Sequence, residues 1–479
     1  MNFYTNIHIR GNEVLLRGIE DGERVQLSIP YKPYLFVPSH DNNTQFKTLK
    51  GQPVKRIDFE SMREARDYVA RYKDVDNFPI YGLTNFGYTF INDKYKGEIQ
   101  YDVSKISIVT LDIETESSGG FPNIQTADKA ITAITLRKND VSVVFGLFPY
   151  EPESPNVKYF HCESEANLLE MFIQTWCSKQ FNPDIITGWN VEFFDIPYIV
   201  NRIRRVLGDY SVKKLSPWGI MTTRKFDVMG NEVVLEQPVG INVLDYLSLY
   251  KKFSFSQQES FKLDHIAFVE LGERKLDYNE LGYETLDDFY KGDFRNYINY
   301  NIRDVDLVYR LDQKLKLLEQ VFAIAYDGKV NYIDTLTTVR MWDTIIHNYL
   351  YDKNIVIENP ALTLKQRQIE GAYVKDPQVG KHDWVVSFDL NSLYPHLIMQ
   401  YNISPETLNG QYSRFANSER FNDDGTLVDY QVTDSIGMLI DDRALDDLSI
   451  RNQLTEQNVT ITPTGCMFDR DYQGFLPKL

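Results

Sequence analysis

Ile106-Ser107-Ile108-Val109-Thr110-Leu111-Asp112-Ile113-Glu114 reads as a β-strand with two acids on one side. Side chains along a strand alternate between faces, so Ile106, Ile108, Thr110, Asp112 and Glu114 share one face and Ser107, Val109, Leu111 and Ile113 the other. Two carboxylates at neighbouring same-face positions in apolar company repel each other and lose hydration unless a cation sits between them. The cation expected here is a divalent metal.

Outward from this strand the pattern stays regular. Ile131 to Leu136 reads as a second strand, and the turn residues Lys138, Asn139 and Asp140 lead into a third at Val141 to Phe145. Ser164 is placed to cap a helix carrying Leu168, Leu169, Phe172 and Trp176 on one face. A short strand, Asp184 to Thr187, precedes Gly188-Trp189-Asn190-Val191-Glu192-Phe193-Phe194-Asp195-Ile196-Pro197. The next helix turns Ile196, Ile199, Val200, Ile203 and Leu207 inward and stops at Gly208. Strands first, then alternating helix and strand, predict a mixed α/β sheet. Arg224 to Glu236 alternates around Gly230-Asn231, a two-residue turn signal for a β-hairpin. A helix from about Phe294 through Leu318 puts Tyr300 and Asp304 on the same face. A strand from Trp384 to Asp389 belongs to a further domain. Before all of these, Glu13 to Arg17, Val25 to Ile29 and Tyr34 to Val37 read as short strands and Ser61 to Tyr72 as a helix, with no catalytic constellation among them.

The bulk properties narrow the class. A chain of 479 residues exceeds one ordinary core, so several domains of roughly 100 to 200 residues are expected. With 43% hydrophobic and 25% charged residues the composition is that of a globular protein, and no apolar run approaches the roughly 18 residues of a membrane span. The first residues do not resemble a signal peptide. Cys162, Cys177 and Cys466 make neither a metal-knuckle spacing nor a disulfide framework, which points to a reducing cytoplasm. A net charge of −17 argues against simple coating of nucleic acid. Arg202, Arg204, Arg205, Lys213, Lys214, Arg224 and Lys225 nonetheless form a basic run against Asp209 alone, which reads first as a solvated surface.

Asp112 and Glu114 on a strand, Asp195 at the start of a helix and Asp304 within one call for a joint reading. Hard oxygen ligands from separate elements suit Mg²⁺ or Mn²⁺, and two such ions about 4 Å apart can activate a water and stabilise a leaving oxygen in phosphodiester cleavage. Tyr300, one turn before Asp304, is placed to hold that water through its hydroxyl. Taken singly, each residue has a plainer explanation: Asp195 as a helix cap, Asp304 on a solvated helix face, Tyr300 in the core, and Asp112 and Glu114 paired with distant Lys or Arg.

Order and spacing favour the joint reading, and here the sequence resembles the family B DNA polymerases, most of all their tailed-phage branch. Asp112-Ile113-Glu114-Thr115 is similar to the first exonuclease motif of that family, Asn190-Val191-Glu192-Phe193-Phe194-Asp195 to the second, and Tyr300-Asn301-Ile302-Arg303-Asp304, of the form Tyr-x-x-x-Asp, to the third. The resemblance implies a ribonuclease-H-like 3′-5′ exonuclease in which Asp112, Glu114, Asp195 and Asp304 bind two Mg²⁺ or Mn²⁺ ions. It also implies that Tyr300 orients the attacking water and that Asn190 and Phe194 hold the frayed single-stranded 3′ end. The family uses a hairpin to help part primer from template, and Arg224 to Glu236 is the candidate.

The resemblance extends to Leu479. Ser387-Phe388-Asp389-Leu390-Asn391-Ser392-Leu393-Tyr394-Pro395 is similar to the first palm motif. This implies that Asp389 ligates polymerase metals, that the backbone of Leu390, Asn391, Ser392 and Leu393 meets the triphosphate, and that Tyr394 closes the space a ribose 2′-hydroxyl needs. By chemistry alone, Asp389 and Ser392 read equally as a helix cap. Glu370-Gly371-Ala372-Tyr373-Val374 resembles the linker whose backbone, Gly371 included, tracks the template, although Ile369 and Glu370 stand where the family motif begins with Tyr. The second palm carboxylate motif and the fingers helix are not found. Tyr430-Gln431-Val432-Thr433-Asp434-Ser435 imitates the former, but Val432 replaces its first acid.

The expected organisation is therefore an α/β multidomain chain: an amino-terminal α+β domain at 1–103 to which 317–360 returns, an exonuclease domain at 104–316, and the first part of a palm at 361–479. The expected partners are primer-template DNA, a second polymerase chain carrying fingers, remaining palm and thumb, and a sliding clamp; no membrane is involved. The cytoplasm is the expected location, that of a host if the chain is phage-encoded. Rival readings are a stand-alone repair exonuclease with a vestigial palm, and a non-catalytic nucleic-acid-binding regulator.

Overall fold

Three antiparallel strands, β1 (Phe3–Arg10), β2 (Glu13–Glu20) and β3 (Glu23–Pro30), open the chain. The sequence reading missed β1, where Thr5, Asn6 and His8 interrupt the apolar alternation. Strands β4 (Tyr34–Pro38), β5 (Phe46–Thr48) and β6 (Pro53–Asp58) follow, then α1 (Met62–Tyr72) and α2 (Phe86–Lys94). Ser61 caps α1 by accepting the Glu64 N–H at 3.1 Å. The structure, a computed structural model, describes residues 1–479 except 74, 76–77, 119, 229–230, 255–257, 359–373, 412–418, 422–426, 431–457 and 463–465. Residues 1–37 with 55–354 form one compact unit, and 38–54 with 355–479 a second.

Within the first unit the acid-bearing strand, β7 (Ile108–Thr115), lies inside a six-stranded sheet. On one side it pairs antiparallel with β8 (Ile131–Lys138), which pairs antiparallel with β9 (Val141–Gly146), which in turn runs parallel to β10 (Val157–His161). On the other side β7 runs parallel to β11 (Ile185–Thr187). The expected hairpin is thus present between β8 and β9, with Asn139 turning at φ 53°.

Alternation along β7 decides what covers each face. Val109, Leu111 and Ile113 are buried against α3 (Glu165–Cys177) and α4 (Asp195–Leu207) in a core with Leu168, Phe172, Ile199 and Ile203. Ser164 caps α3 as expected, and Gly208, at φ 84°, ends α4. Between α4 and the next sheet strand come α5 (Asp209–Lys213) and an antiparallel ribbon, β12 (Met221–Val228) with β13 (Asn231–Pro238). Gly230, half of the expected turn, lies outside the described residues. Strand β14 (Asn242–Val243) then runs parallel to β11 and completes the sheet. Helices α6 (Tyr246–Phe253), α7 (Leu263–Leu271) and α8 (Leu286–Gly292) lead to α9 (Phe294–Leu315), which covers the acid-bearing face.

The helical region expected from about Phe294 through Leu318 is present and is divided in two. Lys316, in the left-handed region at φ 55°, breaks it, and α10 (Leu317–Gly328) turns away. Helix α10 packs on β1, where the Tyr326 hydroxyl donates to the Tyr4 carbonyl at 2.8 Å and the Tyr4 hydroxyl to the Val330 carbonyl at 2.6 Å. Arg17, 1% exposed, donates to the carbonyls of Pro183 at 2.8 Å and Gly240 at 2.7 Å and sits 3.3 Å from Asp184. A buried guanidinium survives there because both of its terminal nitrogens meet oxygens, those of Pro183 and Gly240 on one side and of Asn182 and Asp184 on the other.

In the second unit, helix Leu393–Tyr401 precedes a three-stranded antiparallel sheet of Leu408–Gln411, Cys466–Asp469 and Val459–Ile461. The expected strand at Trp384 to Asp389 is not formed. Val385, Val386 and Phe388 are exposed and the segment makes no ladder with any described residue, and a strand holds only where its amides find partners. Gly371, with 370–373 of the linker motif, and 431–435 of the imitation palm motif lie outside the described residues. Among the described residues no helix is long and apolar enough to cross a membrane.

Candidate active site

Carboxylate oxygens of Asp112, Glu114 and Asp304 lie within 4.8 Å of one another. The first two project from β7 and the third from α9. Asp195, the first residue of α4, is not one of that group of three but stands next to it, accepting the Ile113 backbone N–H at Oδ1, 3.1 Å away, and repelling Asp112. It does not cap its own helix, so the capping explanation fails. Asp304 is 5% exposed, which rules out the solvated-face explanation as well.

Crowding four acids in a shielded place perturbs all of them. Burial is the largest cause at each, and repulsion adds to it. Asp112 stands well above the ordinary carboxylate range, through burial and then the charges of Asp195, Asp304 and Glu114. Glu114 is pushed up to about 8 by burial and Asp304, with Lys275 opposing. Asp195 is pushed up to about 7 by burial, against the pull of the Ile113 N–H. Asp304 is raised by burial, again with Lys275 opposing. Its Oδ1 is buried without a hydrogen-bond partner. Clustered hard oxygens, mutual repulsion and one orphaned lone-pair donor are what a site for Mg²⁺ or Mn²⁺ presents, so the residues fit that group.

Three polar neighbours of the acids were not read from the sequence. Asn301, 0% exposed, donates to Asp112 Oδ2 at 2.6 Å and accepts the Thr135 hydroxyl. Lys275 pairs with Asp304 Oδ2, and its ammonium lies 4.6 Å from the centre of the Tyr300 ring. Burial works against that charge, but Asp304 and Tyr300 more than offset it and hold the ammonium above its ordinary range. Asp245 organises the turn before α4, accepting the N–H groups of Asn190 at 3.1 Å and Glu192 at 3.2 Å while it caps α6. The Tyr300-x-x-x-Asp304 spacing signalled Asn301 only as an intervening residue, and Lys275 comes from a connection with no periodic pattern.

The turn itself depends on Gly188, where a Cβ would meet the Leu111 carbonyl at 2.4 Å. Asn190 follows at φ 68°. Phe194 is half-buried, with its ring 5.7 Å from Tyr198 and 5.4 Å from Phe121, which is 84% exposed. Tyr300 is half-buried beside Phe289, their ring centres 6.3 Å apart. The basic run expected on the surface is partly internal. Arg202 is 8% exposed and pairs with Glu165 at 2.6 Å, while Arg224 pairs with Glu192 at 2.6 Å.

Residues 82–266 match the family model described as DNA polymerase family B, exonuclease domain, and residues 333–479 match that of DNA polymerase family B. The chain belongs to DNA polymerase family B. It is 33% identical over 439 residues to the DNA-directed DNA polymerase of Escherichia phage RB69, an alignment covering 86% of this chain and 48% of that one. Identity to the DNA-directed DNA polymerase of Enterobacteria phage T4 is 32% over 438 residues, with the same coverage. A DNA polymerase of Pyrococcus horikoshii is 25% identical over 331 residues, 64% of this chain and 24% of that one. The chain spans about half the length of the two phage relatives.

The residues expected to form the first palm motif lie in the second unit. Asp389 and Asn391 are exposed, Leu390 is 70% and Tyr394 66% exposed, and Leu393 starts the helix Leu393–Tyr401. Ser392 occupies the residue before that helix at φ 54°, and its side chain makes no capping bond, so the cap explanation fails here too.

Proposed function

We propose that this chain is the amino-terminal part of a replicative DNA polymerase whose first unit is a two-metal 3′-5′ proofreading exonuclease. The observation that carries the proposal is the convergence of Asp112, Glu114, Asp195 and Asp304 from three separate elements. Asp112, Glu114, Asp195 and Asp304 would hold Mg²⁺ or Mn²⁺, which when bound supplies an activated water and charge stabilisation at the scissile phosphate. Asn301 aims the Asp112 carboxylate. Lys275 neutralises part of the acidic charge and fixes the Tyr300 ring, whose hydroxyl faces the position of the attacking water in this reading. The exposed ring of Phe121 and the half-buried ring of Phe194 beside it offer faces on which unpaired bases stack, and Asn190 adds a polar contact to the frayed 3′ end. The order of the central strands, with β7 between an antiparallel hairpin and a parallel neighbour, supports the ribonuclease-H-like description.

Opening a duplex costs on the order of 1.4 kcal/mol per base-pair step and less at a mismatch, so selection for mispaired ends follows from fraying, with the β12–β13 ribbon as the parting element. The domain division proposed is 1–103 with 317–360, then 104–316, then 361–479; the packing of α10 on β1 supports the return of the chain to its first domain. For synthesis, Asp389 is one carboxylate where two metals need at least two. We therefore place DNA synthesis on this chain only together with a second chain that supplies the fingers, remaining palm and thumb, with Leu390, Asn391, Ser392, Leu393 and Tyr394 meeting the nucleotide and Gly371 the template. A sliding clamp is the further partner and the cytoplasm the location.

The decisive experiment is degradation of a 5′-labelled single strand with Mg²⁺. The parent chain shortens it from the 3′ end, and Asp112→Ala with Glu114→Ala lowers the rate by roughly a thousandfold. Equal rates would overturn the site. On a primer-template with all four nucleotides, the 479-residue chain alone adds none; primer extension would refute the division of labour.

A further inference from the structure

The element that carries Asp195 grips both faces of the β12–β13 ribbon. In this antiparallel pair Thr222 lies opposite Gln237, Thr223 opposite Glu236 and Arg224 opposite Leu235, so Arg224 and Gln237 share one face and Glu236 belongs to the other. On the first face Arg224 Nη1 donates to Glu192 Oε1 at 2.6 Å, and Gln237 Nε2 donates to the same oxygen at 3.2 Å. On the second face Arg204 Nη2 pairs with Glu236 Oε2. Glu192 lies three residues before Asp195, and Arg204 belongs to α4, the helix that Asp195 begins.

Glu192 is a buried acid that stands outside the carboxylate group of Asp112, Glu114 and Asp304. It is 4% exposed, and its backbone N–H is already held by Asp245. Any residue but proline could supply that N–H, so what the carboxylate adds is its two bonds to the ribbon. Burying an acid beside Asp245 is unfavourable unless the partner geometry is kept, which makes the Arg224 contact costly to stretch. Arg204 is likewise committed, donating also to Asp209 at 2.7 Å and Asn201 at 2.8 Å. At its other end the same element is tied to β7 through the Ile113 N–H on Asp195.

We propose that Glu192 and Arg204 are positioning residues that make the ribbon and the Asp195 element one rigid body, so that a 3′ end parted by the ribbon arrives in register with the four acids. The proposal rests on the exonuclease reading above. It assigns to these two side chains a role in excision from paired ends and none in cleavage of a strand that is already single.

Glu192→Gln, Arg204→Gln and Arg204→Lys are compared with the parent on one oligonucleotide, free and annealed to its complement, with Mg²⁺. Both Gln variants lower kcat on the annealed end by about tenfold while kcat and KM on the free strand stay within about twofold, and Arg204→Lys recovers most of the loss. Activity on the free strand reports intact folding, and Arg204→Gln, at a part-exposed site, serves if Glu192→Gln folds poorly. An unchanged ratio between the two substrates, or an equal fall on both, overturns the coupling. A parent chain inert on both substrates is the separate signature of a failed exonuclease reading, and the coupling falls with it.

Discussion

Asn301 holds Asp112: its side-chain amide donates to Asp112 Oδ2 at 2.6 Å while its own oxygen accepts the Thr135 hydroxyl, so α9 and β8 together set the direction of one acid on β7. Outer partners of this kind orient a metal ligand, and their loss typically costs 10- to 100-fold in metal affinity. Asn301→Leu, close in volume, is expected to weaken Mn²⁺ binding about tenfold by calorimetric titration. Unchanged affinity would show that Asp112 is aimed by its strand alone.

Without metal, the stability of the first unit should fall as pH rises. Glu114 goes from an ordinary 4.5 to about 8 in the folded chain and Asp195 from 3.8 to about 7, so the folded state binds more protons than the unfolded one between those values. Stability is then greatest below the unfolded values and is lost as pH climbs through the folded ones. Melting temperature followed in EDTA across that window should drop, and saturating Mg²⁺ should flatten the slope by taking the place of the protons. A metal-free melting temperature independent of pH would contradict the crowding of the four acids.

Among the described residues, Lys275 is the cation paired directly with one of the metal-free acids. Replacing it with Met leaves Asp304, 5% exposed, without its charged partner. The expected cost in EDTA is about 3 kcal/mol of unfolding free energy, from urea melts, and Mg²⁺ should restore a large part of it. Equal stability of variant and parent in EDTA would mean that Asp304 is neutral and needs no counter-charge.

Much of the fold was legible along the chain because it is written in short-range pattern. Alternation in β7, the Asn139-Asp140 turn, the Ser164 cap and the Gly208 stop each depend on a few neighbouring residues, and each appears at its expected place. The four acids were legible for a related reason: their residue types and order are visible even when their meeting is not. The segment from Trp384 to Asp389 was misread because alternation can propose a strand, but only hydrogen-bonding partners from elsewhere can make one.

Tertiary structure settled the company that each acid keeps. Asp195 could be a cap or a ligand by local chemistry, and the Ile113 N–H across the sheet decided against the cap. Lys275, Asn301 and Asp245 carry no signal in their own neighbourhoods; they matter through contacts with residues tens to nearly two hundred positions away. Local sequence sets backbone preference and the direction in which each side chain points, whereas burial, repulsion and pairing depend on distances that exist only once remote segments are packed together.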